Sequence, residues 1–318
     1  MKANWVLSGP QYGGVLGGAL VYASLGFTQP ALEVWILLLA PTVLVPLALK
    51  LVPTDKWQPT ERRCLTAFNW LQLPSAALLV GGFAMGSQGI LPAMLSFPWV
   101  VATLLLAVVG FLRLRRNGLR LNSDSATAAA CLLLPVGAGW GVVSRAGWQP
   151  QDFSHAIVLL TAVHFHYAGF VLPLLAGRAD GGDTSWSTRL MLAAIIVGVP
   201  AVGVGISLSP TVEVVAAISL ALACLALAAR QTRMAFSLRS TNATLLLLVS
   251  STSIVAAMLL AGVYAVGEFM NQPWLAIPTM IQTHGVLNAF GFALCGILAH
   301  LANDRSAARL LAASRAAR

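Results

Sequence analysis

The chain has 318 residues, of which 58% are hydrophobic and only 9% charged, with a formal net charge of +9. A soluble domain carries about 25% charged residues, so there is too little charge here to cover a water-facing surface. Strand-period alternation is absent, which excludes an outer-membrane barrel, and recurring apolar stretches of about 20 residues predict membrane-crossing helices instead. The expected class is all-α: a polytopic helical bundle in a lipid bilayer.

In chain order the predicted spans are 10–27, 32–51, 65–84, 91–114, 126–143, 153–176, 190–208, 212–229, 245–268 and 278–301. The start, MKANWVLSGPQYGG, lacks the layout of a signal peptide and is read as retained. In the first span Gly13, Gly14, Gly17 and Gly18 dilute the hydrophobicity, but they suit a close helix–helix contact.

Basic residues alternate between loops. Lys50, Lys56, Arg62 and Arg63 follow the second span; Arg113, Arg115, Arg116 and Arg120 follow the fourth. Arg178 and Arg189 follow the sixth, Arg230, Arg233 and Arg239 the eighth, and Arg305, Arg309, Arg315 and Arg318 the tenth. Arg145 is the exception. Positive-inside bias then puts both termini in the cytoplasm. Residues 1–302 read as one transmembrane domain and 303–318 as a short basic cytoplasmic tail, able to lie on the membrane surface. Two inverted five-span halves are conceivable, without any echo between them.

The positive charge is explained by topology and anionic lipid. No separate basic domain with groove-reading features exists, so nucleic acid is excluded as a partner. Cys64, Cys131, Cys224 and Cys295 are scattered without a CxxC, which argues against a disulfide framework or zinc ribbon.

Ionisable residues at bilayer depth are costly and are functional candidates by default. Two runs carry them: TAVHFHYAGF (161–170) and QTHGVLNAFGF (282–292). His155 is expected at the outer interface, with His164 and His166 near mid-membrane. Residues two apart on a helix point about 200° apart, so the latter two cannot share one regular-helix pocket. Thr161, His164 and Tyr167 share one face; His155 and His166 share nearly the opposite one. Gly169 and Pro173 would permit a local distortion.

In the second run His284 and Asn288 are adjacent on one face, flanked by Gly285 and Gly291, with Cys295 on that face again. His300 is expected to snorkel to the cytoplasmic interface. Glu33, Glu213 and Glu268 fall near the outer face, where interfacial solvation would account for them. Asn69 and Gln72 suit interhelical hydrogen bonds; Trp5, Trp35, Trp148 and Trp274 suit a belt.

The HFHYAGF and THGVLNAFGF runs, with EVWILLLAPTVLVPLALKL near the start, resemble the YndJ-like family of bacterial polytopic membrane proteins. The resemblance implies a bacterial cytoplasmic (inner) membrane location and marks Glu33, His164, His166, Tyr167, His284, Gly285, Asn288 and Gly291. It implies no particular substrate.

Three readings compete. The first is an intramembrane enzyme on a lipophilic small molecule, an isomerase or cyclase using histidine with Glu33 or Asn288 in acid–base chemistry and requiring no cofactor. Its catalytic set is His164, His166, His284, Asn288, Glu33 and Tyr167. The second is a proton- or metal-coupled transporter with a midplane histidine site. The third is a mononuclear zinc, copper or iron site, or a haem, drawn from His155, His164, His166 and His284.

Overall fold

The computed structural model describes residues 9–54, 57–118 and 120–316, with side chains from 14 to 307. Trp5, Lys56 and Arg318 lie outside the described residues, and for Gly13, Arg309 and Arg315 only the backbone is described.

Among the described residues the fold is helical throughout, in ten helices: α1 (Gly9–Ser24), α2 (Leu32–Leu51), α3 (Pro59–Ala84), α4 (Ile90–Asn117), α5 (Ser123–Ala146), α6 (His155–Asp180), α7 (Trp186–Leu208), α8 (Pro210–Ala235), α9 (Thr241–Phe269) and α10 (Ile277–Ala307). Nine of these, α2 to α10, are long and apolar enough to cross a membrane. The helical backbone of the last helix continues to Ala316.

Helices begin where their caps dictate. Gln58 and Glu61 form a reciprocal capping box with Pro59 in the first turn of α3, which starts that helix before its apolar stretch. Asn122, Ser154, Ser185 and Ser240 accept backbone N–H bonds at the starts of α5, α6, α7 and α9.

The helices pack as two arcs around a centre. One arc is α3–α4–α5 and the other α7–α8–α9, each packed in sequence. Between them stand α2, α6 and α10, which contact one another. About two thirds of α6's most apolar stretch is buried (67%), against 33% for α7 and α9, which marks α6 as central. Outward-facing Leu, Val and Phe on the arcs, such as Phe97, Leu104, Val197 and Leu259, form the surface a bilayer would cover.

All three central helices contain π-helical turns: Ala40–Leu44 in α2, Tyr167–Val171 in α6, and Ile281–Gly285 and Leu287–Leu294 in α10. Proline supplies the cause in the first two. Pro41 and Pro46 in α2 and Pro173 in α6 remove backbone donors, and the ladder slips by one residue: Val45 N–H bonds Ala40 O, and Leu172 N–H bonds Tyr167 O. Turns of this kind are rare and recur at functional sites.

α1 is held by the glycines read from the sequence. A Cβ at Gly18 would overlap the carbonyl oxygen of Thr42 in the α2 π-turn, and Gly17 packs on Leu73. Gln72, buried in α3, donates to Pro41 O at 2.8 Å, so it is the interhelical bond that the sequence suggested.

Four ion pairs lie at one end of the bundle, the basic end: Arg113–Asp124, Arg116–Glu61, Arg178–Asp304 and Arg230–Asp183. Asp183, in the α6–α7 loop, accepts from Thr188 Oγ1 (2.6 Å), the Ser185 N–H with its other oxygen (2.8 Å) and Arg230 Nη1 (2.9 Å). These bonds, Thr188's first, hold its carboxyl well below the usual carboxylate range. A depressed carboxyl contributes stability above its unfolded value of about 3.9 and loses it as pH falls below that. Asp183→Asn is therefore expected to lower the melting temperature at pH 7, with the gap to wild type closing below about pH 4. A gap independent of pH would contradict this.

Candidate functional site

His164 and His166 stand in regular helix, because the π-turn of α6 begins only at Tyr167. They therefore point to opposite sides, as their spacing demands. His166 is 1% exposed. Its Nδ1 bonds Ala162 O at 2.8 Å, and its Nε2 accepts the indole N–H of Trp99 (α4) at 3.0 Å, with the two rings stacked 6.3 Å apart. A carbonyl only accepts, so Nδ1 carries the hydrogen and the ring is a neutral tautomer with both nitrogens engaged. Gly137 (α5) provides the space: a Cβ there would lie 2.7 Å from Nδ1.

His166 is thus a packed interhelical link. Trp99→Phe, which leaves Nε2 buried without a donor, is expected to cost about 1–3 kcal/mol of stability. Thermal unfolding in detergent checks this, and an unchanged midpoint would contradict it.

His164 faces the other way and is half-buried. Its Nε2 lies 3.3 Å from Val199 O on α7, which assigns the hydrogen to Nε2 and leaves Nδ1 as a lone pair. Tyr167, one turn on, is buried toward α2 and donates to Ile36 O at 2.7 Å. Tyr167 itself still bonds back to Val163 O in the ordinary way, and the π-turn shifts the residues that follow it. The acceptor is available because Pro41 disturbs α2 at this level: the Ala40 N–H turns to Leu37 O.

His284 sits in the first π-turn of α10 and is also half-buried. Its Nδ1 bonds Ala257 O on α9 at 2.9 Å, so Nδ1 carries the hydrogen. The Nδ2 of Asn288 lies 3.1 Å from His284 Nε2 and 2.9 Å from the His284 carbonyl. Asn288 therefore pins the ring while its amide donates to the remaining lone pair. His284 is close enough to act electrostatically on His164, and the π-turn of α6 (Tyr167–Val171) contacts the second π-turn of α10 (Leu287–Leu294). We take the two half-buried histidines as one candidate cleft, bounded by Val199 O on α7 and Ala257 O on α9.

Around the cleft, Gly285 meets Ile36 of α2, and Gly291 meets Ser253 of α9. Glu33 lies one turn before Ile36, half-buried, with no hydrogen bond or ion pair among the described residues. Toward the non-basic end of α9, Tyr264 hydrogen-bonds Glu268, and the charge of Glu268 acts on Glu213 of α8. Tyr264 and Glu268 are seven and eleven residues past Ala257, hence on its face of α9.

His155 does not join the cleft. It is exposed at the start of α6, 3.4 Å from Gln88 Nε2, and nine residues before His164, about 13 Å along the helix. Among the described residues no three His, Cys, Asp or Glu side chains converge as metal ligands, so the four-histidine set is not assembled.

His300 requires a correction. It is 4% exposed rather than snorkelling, and α10 continues past it. Sequence reasoning also missed Trp99 and Tyr264, which read as ordinary apolar-span aromatics; only their tertiary partners distinguish them.

Ten helices around a buried, π-distorted centre define a multi-pass helical membrane protein. The chain belongs to the YndJ-like family, whose sequence model matches residues 35–292 and so includes His164, His284 and Asn288 but not Glu33. It is 28% identical to the uncharacterized membrane protein YndJ of Bacillus subtilis (strain 168) over 225 residues, 69% of this chain and 38% of that protein. The chain thus spans under half the length of that relative. No solved structure matches it.

Proposed function

We propose that the chain is a proton-coupled membrane transporter whose proton-binding centre is the His164–His284 cleft. The observation that carries this reading is the pair of tautomers. Each ring spends its N–H on a backbone carbonyl, Val199 O or Ala257 O, and turns a lone pair away from it. Two imidazole lone pairs in one apolar cleft accept protons; neither ring offers one at rest. Asn288 suits both states, since its amide donates to neutral Nε2 and its oxygen can accept from the protonated ring. Glu213, Glu268 and Tyr264 add polar groups toward the non-basic end, which the loop charges assign to the outer side. The π-turns in α2, α6 and α10 supply the irregular backbone that transporters place around such centres.

The test is proton movement in reconstituted vesicles with an internal pH dye. External acidification is expected to acidify the interior in a protein-dependent way, and His284→Gln to abolish this. Wild-type vesicles matching protein-free ones would overturn the reading.

An intramembrane acid–base enzyme is the second reading. It is favoured by the one-sided position of the cleft, with the Arg178–Asp304 pair binding α6 to α10 at the basic end. Absent flux together with chemical turnover of an added lipid extract would favour it.

A further inference from the structure

A cavity of about 660 Å³ opens at the basic end, where α6 stops and α5 and α7 begin. Arg120, Asn122 and Ser123 line it from the α4–α5 side, and Asp180, Trp186 and Arg189 from the α6–α7 side. The two sides are held together by helix packing: a Cβ at Gly177, near the end of α6, would lie 3.2 Å from Ser123 Cα. Because spanning helices end here, the cavity stands at the boundary between bilayer and water.

Its charged groups are unequally occupied. Asp183 also lines the cavity, but its carboxylate is engaged by Thr188, Ser185 and Arg230. Arg120 and Arg189 make no hydrogen bond or ion pair among the described residues. Asp180 is only 5% exposed. One of its oxygens, Oδ1, accepts the Gly182 N–H at 2.9 Å, while Oδ2 has no partner among the described residues. A buried carboxylate with an idle oxygen on a cavity wall calls for a donor. Ser123 adds a donor for an anion, since Asn122 caps the N–H groups of Asp124 and Ser125 but leaves that of Ser123 free, at the positive end of α5.

The cavity thus offers one carboxylate oxygen to a cation bearing N–H groups, and two guanidiniums to an anion. A ligand of a single sign leaves part of it unused. A zwitterion with an ammonium and a phosphate engages both, and that is the headgroup of an ethanolamine phospholipid. The bilayer side fits a lipid. Trp186 is 77% exposed in the first turn of α7 and Leu190, one turn on, is exposed too, which places an amphipathic ring at headgroup level and an apolar side chain beside the acyl chains.

We propose that this cavity binds the phosphoethanolamine headgroup of a membrane lipid. The phosphate accepts from Arg120, Arg189 and the Ser123 N–H, and the ammonium donates to Asp180 Oδ2. Asp180 is sixteen residues past His164, about 24 Å along α6, so the site is separate from the cleft and independent of the transport reading.

The experiment titrates the full chain in detergent with dioleoyl lipids and counts bound lipid by native mass spectrometry. A choline headgroup keeps the phosphate and the positive charge but has no N–H for Asp180; a glycerol headgroup keeps only the phosphate. The expected result is one ethanolamine lipid held about tenfold more tightly than either. Asp180→Asn, which keeps an oxygen for the Gly182 N–H, is expected to erase that preference and leave choline-lipid binding unchanged. Arg120→Gln combined with Arg189→Gln is expected to weaken the ethanolamine lipid by about tenfold or more. The wild-type lipid series decides the matter even where a variant fails to fold. Equal affinity for the three headgroups, tighter binding of the glycerol lipid, or an ethanolamine preference that survives Asp180→Asn would overturn the site. Free phosphoethanolamine binding as tightly as the lipid would make the occupant a soluble compound of the same chemistry and overturn the lipid.

Discussion

Replacing His164 by glutamine is expected to bring proton flux down to the protein-free level, whereas His166→Leu is expected to leave flux and lower stability. The two histidines are neighbours in sequence with the same chemistry, yet their surroundings assign them different work. His166 has both nitrogens engaged, by Ala162 O and by the Trp99 indole, and no route to solvent. Its removal strands the Trp99 N–H, at about 1–3 kcal/mol. His164 keeps a free nitrogen in a half-buried cleft shared with His284. Flux in reconstituted vesicles and thermal unfolding in detergent, measured on both variants, separate the roles. Loss of flux in His166→Leu with His164→Gln unaffected would reverse the assignment.

Gly18→Val is expected to prevent accumulation of the folded protein. The α1 backbone crosses the α2 π-turn where the Thr42 carbonyl has lost its α-helical donor to Pro46, and no side chain fits between them. A rigid backbone oxygen cannot move aside as the tip of a side chain can, so the overpacking cost is expected at about 3 kcal/mol or more. Gly26→Ala is the control, because nothing lies within 4 Å of a Cβ there. Size-exclusion profiles and melting temperatures of the two variants decide it; equal stability would show that α1 does not seal the turn.

Much of this architecture is legible in the sequence. Apolar runs of bilayer length and alternating basic loops give the ten helices, and periodicity alone shows that His164 and His166 oppose each other. Which of them lines a cleft depends on Trp99 and Gly137, contributed by helices tens of residues away. The π-turns stay hidden because proline and glycine mark a weakened ladder without saying whether it kinks or slips. The partner of Tyr167 is hidden too: Ile36 O, which accepts its hydroxyl, lies on a helix 131 residues earlier in the chain. His300 misleads for a different reason, since its distance from the end of the apolar run suggests an interface, while the helix continues to Ala316 and its neighbours close over the ring.

The central claim is that His164 and His284 form one proton-binding site, and a double-mutant cycle on vesicle proton flux tests it most directly. Wild type, His164→Gln, His284→Gln and the double variant would be compared at equal reconstituted amounts. The expected result is that each single variant loses flux as completely as the double, the signature of residues acting as a unit. Independent partial losses that multiply in the double variant, or full flux in either single one, would contradict a shared site.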